Sequence, residues 1–137
     1  MKTENFRKQH NELLALVGKI QSQLVSSKSI AENSSVLRNH LTSLLGKVQV
    51  HLAMEDNSLY PKLVNGVDVI LAKMAEEFQT EMGNLRQVFI EFIQTWTATK
   101  INEQPEAFKE QATKVFDLLA QRIERENNQL YARYDQL

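Results

Sequence analysis

HLAMEDNSLYP at residues 51–61 returns in altered form as RIERENNQLYA at residues 122–132. Each stretch has Glu fifth, Asn seventh, and Leu-Tyr ninth and tenth. The first opens with His51, whose neutral imidazole is a good metal ligand. The second opens with Arg122, a permanent cation that can only donate hydrogen bonds. His51 and Glu55 are four residues apart, so on an α-helix they project from one face, about 6 Å apart along the axis. Arg122 and Glu126 keep the same spacing, so the repeated unit is helical.

The repeat extends upstream of both copies. An offset of 68 residues sets His10, Leu14, Val17 and Ile20 opposite Phe78, Met82, Leu85 and Val88. Apolar residues at helical spacing predict helix A over about residues 4–24, carrying Phe6, His10, Leu13, Leu14, Val17, Ile20 and Leu24. Helix B is predicted from a Ser34 or Ser35 cap to about Pro61, helix C over about 67–99, and helix D from Pro105 through Leu130. SSKSIAENSS at 26–35 is expected to be a non-helical connection, VNGVD at 64–68 a turn, and KINEQP at 100–105 the end of helix C. Four amphipathic helices with short connections imply an all-α, up-down-up-down four-helix bundle. One domain is expected, made of two helical hairpins over about 4–61 and 67–132.

Composition narrows the function. A chain of 137 residues suits one domain. Sixteen basic against seventeen acidic residues leave a net charge of −1, with no electrostatic basis for binding nucleic acid or anionic lipid. Cysteine is absent, which removes disulfides, thiolate ligands and a cysteine nucleophile together. MKTENFRKQHNELL lacks the apolar core of a secretory leader, and no apolar run approaches the roughly 18 residues of a membrane span. A soluble cytoplasmic protein is the expectation. Only four glycines and two prolines interrupt the chain, which favours long helices.

Depth along the helices gathers the chemistry at one level. His10 lies about one and a half turns inside helix A, and His51 a comparable distance from the end of helix B. Antiparallel packing brings them level, and the same reckoning adds Glu55, Phe78, Arg122 and Glu126. His40 stands about 16 Å from His51 along helix B and falls outside that level. It is expected to form a mid-bundle polar pair with its repeat counterpart, Gln111. Tyr60 and Tyr131 are expected to anchor the helix ends near the bundle mouth.

FRKQHNELL with its His10, HLAMEDNSLYP and its echo RIERENNQLYA together resemble the hemerythrin-like (HHE cation-binding) family, over nearly the whole chain. The resemblance implies one His from helix A, His-x-x-x-Glu from B, one His from C and His-x-x-x-Glu from D, around a di-iron centre with bridging carboxylates. His10, His51, Glu55 and Glu126 match this pattern. Phe78 and Arg122 stand where two further histidines are expected, so the second half-site is degenerate. Ferritin-like Glu-x-x-His pairs and a His-Glu-x-x-His zinc motif are both absent.

Two functions follow as expectations. The first is a non-enzymatic protein that senses or carries with at most one divalent ion, iron by the resemblance, zinc or manganese by the ligand set. Phe78 then fills vacated volume, and Arg122 supplies charge beside the carboxylates. Dioxygen binding that draws electrons from two irons is expected to be lost. The alternative is a metal-free bundle in which His10 and His51 hydrogen-bond Glu55 or Glu126, retained as an interaction or regulatory module for a protein partner. Nothing marks a substrate pocket, and no enzymatic activity is expected.

Overall fold

Burial begins with the stripe on the first helix. In the computed structural model, which describes residues 1–137, α1 (Glu4–Gln21) turns His10, Leu13, Val17 and Ile20 inward. The connection after it is not irregular: α2 (Ser27–Glu32) forms there, with Ser26 Oγ accepting the Ser29 N–H at 3.1 Å. Ile30, fully buried, gives this short helix its reason to fold against the bundle. α3 (Ser34–Met54) starts after Asn33 rather than after a serine cap. Asn33 does not cap it, because its side-chain amide donates back to Ser29 O at 2.8 Å.

α3 runs without interruption into a π turn (Glu55–Leu59) and then α4 (Tyr60–Val64). The third long element differs from the continuous helix expected over 67–99. It divides into α5 (Val69–Met82) and α6 (Leu85–Thr95) at Gly83-Asn84. A Cβ on Gly83 would collide with the Gln79 carbonyl oxygen, so the break needs a glycine there. α7 (Ala98–Glu103) is a further short helix where chain termination of helix C was expected, capped by Thr97 Oγ1. α8 (Pro105–Arg125) has its proline in the first turn as predicted, and continues through a second π turn (Glu126–Leu130) into α9 (Tyr131–Asp135).

α1 packs on α3 and α8, α3 on α6, and α6 on α8, which closes an up-down-up-down ring, while α4 packs on α5. Leu14, expected on the inward stripe of helix A, is exposed, and so is Ile70 near the start of α5. Two apolar clusters fill the ring. The larger includes Leu13, Val17, Leu41, Val48, Leu52, Phe89, Trp96, Phe116, Leu119 and Ile123. The smaller holds Leu59, Tyr60, Leu63, Leu71, Ala75, Phe78, Leu130 and Tyr131. Fully burying a side chain of this size contributes about 1.5–3 kcal/mol. Between the clusters lies one polar layer, closed to water from above and below. The chain ends meet below it, where Thr3 donates from N–H and Oγ1 to Asp135 at 3.0 and 2.6 Å. No helix is long and apolar enough to cross a membrane.

Candidate metal centre

His10, His51, Glu55, Arg122 and Glu126 are all buried, each 2 % exposed or less, so the structure brings every predicted site residue into this layer. α1 supplies His10 and α3 supplies His51. Glu55 and Glu126 are the first residues of the two π turns, and Arg122 lies one α-helical turn before Glu126. One ligand atom from each of His10, His51, Glu55 and Glu126 lies within 4.8 Å of the others. Phe78, also buried, belongs to the apolar cluster beneath.

The π turns explain why two tyrosines join the site. On an α-helix Leu59 repeats the face of Glu55, and Tyr60 lies about 100° further round. A single i→i+5 turn absorbs one additional residue, seen here as Tyr60 N–H bonding to Glu55 O, and Tyr131 N–H to Glu126 O. Leu59 and Tyr60 are therefore both buried, as are Leu130 and Tyr131. Each phenol reaches across the pseudo-symmetric pair. Tyr60 donates to Glu126 Oε2 and Tyr131 to Glu55 Oε2, both at 2.6 Å. These residues do not sit at the bundle mouth as expected. Burial raises both phenols well above their ordinary pKa, so they remain donors.

The imidazoles are held by amides. His10 Nδ1–H donates to Asn127 Oδ1 at 2.8 Å, and His51 Nδ1–H to Gln9 Oε1 at 2.6 Å. Both rings thus turn Nε2 into the layer. His10 Nε2 lies 3.1 Å from Glu126 Oε1, and His51 Nε2 lies 2.6 Å from Glu55 Oε1. Yet His51 Nε2, Glu55 Oε1 and Glu126 Oε1 have no hydrogen-bond partner. If its one proton is on Nδ1, the His51 ring faces a carboxylate oxygen lone pair to lone pair, an arrangement that a metal cation or a shared proton relieves.

Arg122 occupies the other half of the layer. Its Nε donates to Glu126 Oε2 at 3.2 Å, its Nη2 to Asp56 Oδ1 at 2.8 Å, and its Nη1 to the Met82 carbonyl at 3.2 Å. Nη2 also lies 3.8 Å from Glu55 Oε1, and the guanidinium covers the Tyr60 ring at 5.4 Å. The break at Gly83-Asn84 matters here, because Met82 O lies at the end of α5 and is turned to the arginine. Asp56 and Asn127 are repeat counterparts, each following its π-turn glutamate. Asn127 holds the histidine of α1, whereas Asp56 holds the arginine, since the matching residue of α5 is Phe78.

Charge in the layer is mutually dependent. Burial and the neighbouring Glu55 charge push the Glu126 carboxyl up to about 8. Burial opposes the charge of Glu55 too, but the adjoining Glu126, His10 and His51 side chains hold it well below the usual carboxylate range. Burial disfavours the His10 imidazolium, and the neighbouring Glu126 and Glu55 carboxylates overcome that and raise it to about 9. Arg122, desolvated but facing Glu126 and Glu55, is shifted further upward and stays charged.

Gln9, Asn127, Asp56 and the inward role of the tyrosines went unread in the sequence. The doubled Leu-Tyr and the polar residue after each glutamate carried a faint trace of them; Gln9 left none. His40 is half-buried and outside the layer, and Gln111 accepts from Trp96 Nε1 at 3.0 Å instead of pairing with it. Residues 1–134 match a family model described as the hemerythrin HHE cation binding domain. No curated protein and no solved structure matches the chain.

Proposed function

The chain belongs to the hemerythrin HHE cation-binding domain family, and on that premise we propose that it binds one divalent metal ion, without enzymatic chemistry, as a carrier or sensor. One observation carries the reading: one ligand atom from each of the buried His10, His51, Glu55 and Glu126 lies within 4.8 Å of the others, and in the same layer His51 Nε2, Glu55 Oε1 and Glu126 Oε1 lack any hydrogen-bond partner. Two imidazole nitrogens and two carboxylate oxygens form a donor set suited to iron, manganese or zinc. Iron is the choice favoured by the family. When bound, the ion supplies Lewis acidity and, if it is iron, a one-electron couple. The residues hold it, orient it and keep bulk water away.

A second ion does not fit. The Arg122 guanidinium already contacts both glutamates, and Phe78 offers no ligand where the family pattern has histidine. The other reading is a metal-free interaction module. It draws on Tyr60, Tyr131 and Arg122, which already give each carboxylate a donor. Elemental analysis of protein prepared without a polyhistidine tag separates the two. One metal per chain, lost in the His51→Ala variant, is expected. Absence of stoichiometric metal after iron, manganese and zinc loading would favour the module.

A further inference from the structure

Resting on the cation reading above, we infer that Gln9 is a positioning residue, which readies His51 for the ion by fixing the nitrogen that carries its proton. Gln9 Oε1 lies 2.6 Å from His51 Nδ1, and an amide oxygen can only accept. A proton is therefore held on Nδ1, while Nε2, the nitrogen that the ion would take, faces Glu55 Oε1 at 2.6 Å. Without this acceptor the favourable arrangement reverses. The proton moves to Nε2 and is donated to Glu55, where it occupies the space that a metal–nitrogen bond needs. Such outer partners of metal-bound histidines commonly set tautomer and affinity.

Placement gives Gln9 a second duty. A groove of about 240 Å³ between α1 and α3 is lined by Gln9, Glu12, Gly46, Lys47 and Val50, and reaches His51. The Gln9 amide stands at the Nδ1 edge of the ring, so it also shields that edge from the groove. Its sequence neighbour His10 is itself a candidate ligand, held in the same manner by Asn127, the neighbour of Glu126. α1 thus presents one ligand and orients another with two consecutive residues.

Long-range proton–nitrogen NMR of the metal-free full chain reads the His51 nitrogens directly, and calorimetry with Zn(II) alone reads affinity. Wild type is expected to show a protonated Nδ1 at His51. Gln9→Leu moves the proton to Nε2 and weakens Zn(II) binding about 10- to 100-fold. Gln9→Glu, which retains an acceptor, keeps the wild-type pattern. If Leu disturbs α1, Gln9→Ala at this half-buried position serves equally. A His51 proton that stays on Nδ1 in Gln9→Leu, or unchanged Zn(II) affinity in that variant, overturns the assignment. Wild type that binds no Zn(II) while the proton still moves in Gln9→Leu overturns the cation reading and supports the control exerted by Gln9.

Discussion

Arg122 is the residue on which the layer's charge balance turns. It sits 3.2 Å from Glu126 and 3.8 Å from Glu55 at 2 % exposure, so its removal strands carboxylates that water cannot reach. Arg122→Met is expected to cost about 3–5 kcal/mol of metal-free stability in urea unfolding, with Zn(II) recovering more in the variant than in wild type. A loss below about 1 kcal/mol would show that the guanidinium is not the counter-charge. The pH response has a definite sign as well. His10 and Glu126 bind protons more tightly in the folded chain, at about 9 and 8 against ordinary values of 6.5 and 4.5. Their contribution is complete below the ordinary values and is lost as pH rises through the raised ones. In chelator, stability should fall between pH 6.5 and 9, by on the order of 3 kcal/mol from His10. His10→Gln should flatten that slope, and a wild-type profile already flat over this window would refute the coupling.

At the scale of elements, the two π turns convert a repeated sequence into a site. Each carries its glutamate inward at its first residue and its tyrosine inward just past its last. Helical periodicity correctly places Glu55 and Glu126 with His51 and Arg122, because a spacing of four holds up to the start of each turn. It fails for Tyr60 and Tyr131, since the inserted residue shifts the face by about 100°. Deleting Ser58, an exposed residue of the first turn, should restore α-helical register and rotate Tyr60 out of the layer. The expected result is a lower melting temperature, by the equivalent of about 1–3 kcal/mol for the lost Tyr60–Glu126 hydrogen bond, and weaker Zn(II) binding. Unchanged melting would mean that the turn has no structural role. The divided third helix teaches the same lesson. Its apolar spacing is continuous, yet Gly83 breaks it and frees Met82 O for Arg122.

For the molecule as a whole, an ion that binds only the folded chain must raise its stability. Zn(II) at 100 times its dissociation constant contributes about 2.7 kcal/mol, or roughly 10 °C in melting temperature for a chain of this length. Chelator should reverse the shift, and the His51→Ala variant should not respond. An unshifted melting curve in saturating Zn(II) would argue for the metal-free module.

The sequence by itself determined the helical class, the pairing of two hairpins and the level at which His10, His51, Glu55, Arg122 and Glu126 meet. Those features depend on spacing along single helices and on antiparallel register, which are local or nearly so. Only the tertiary structure decided which atoms face one another. Gln9 reaches His51 from α1, Asn127 reaches His10 from the second π turn, and Tyr60 and Tyr131 cross between the two hairpins. Such partners are chosen by helix rotation and by one-residue insertions, and a buried polar atom accepts whichever donor the packing delivers to within hydrogen-bond reach.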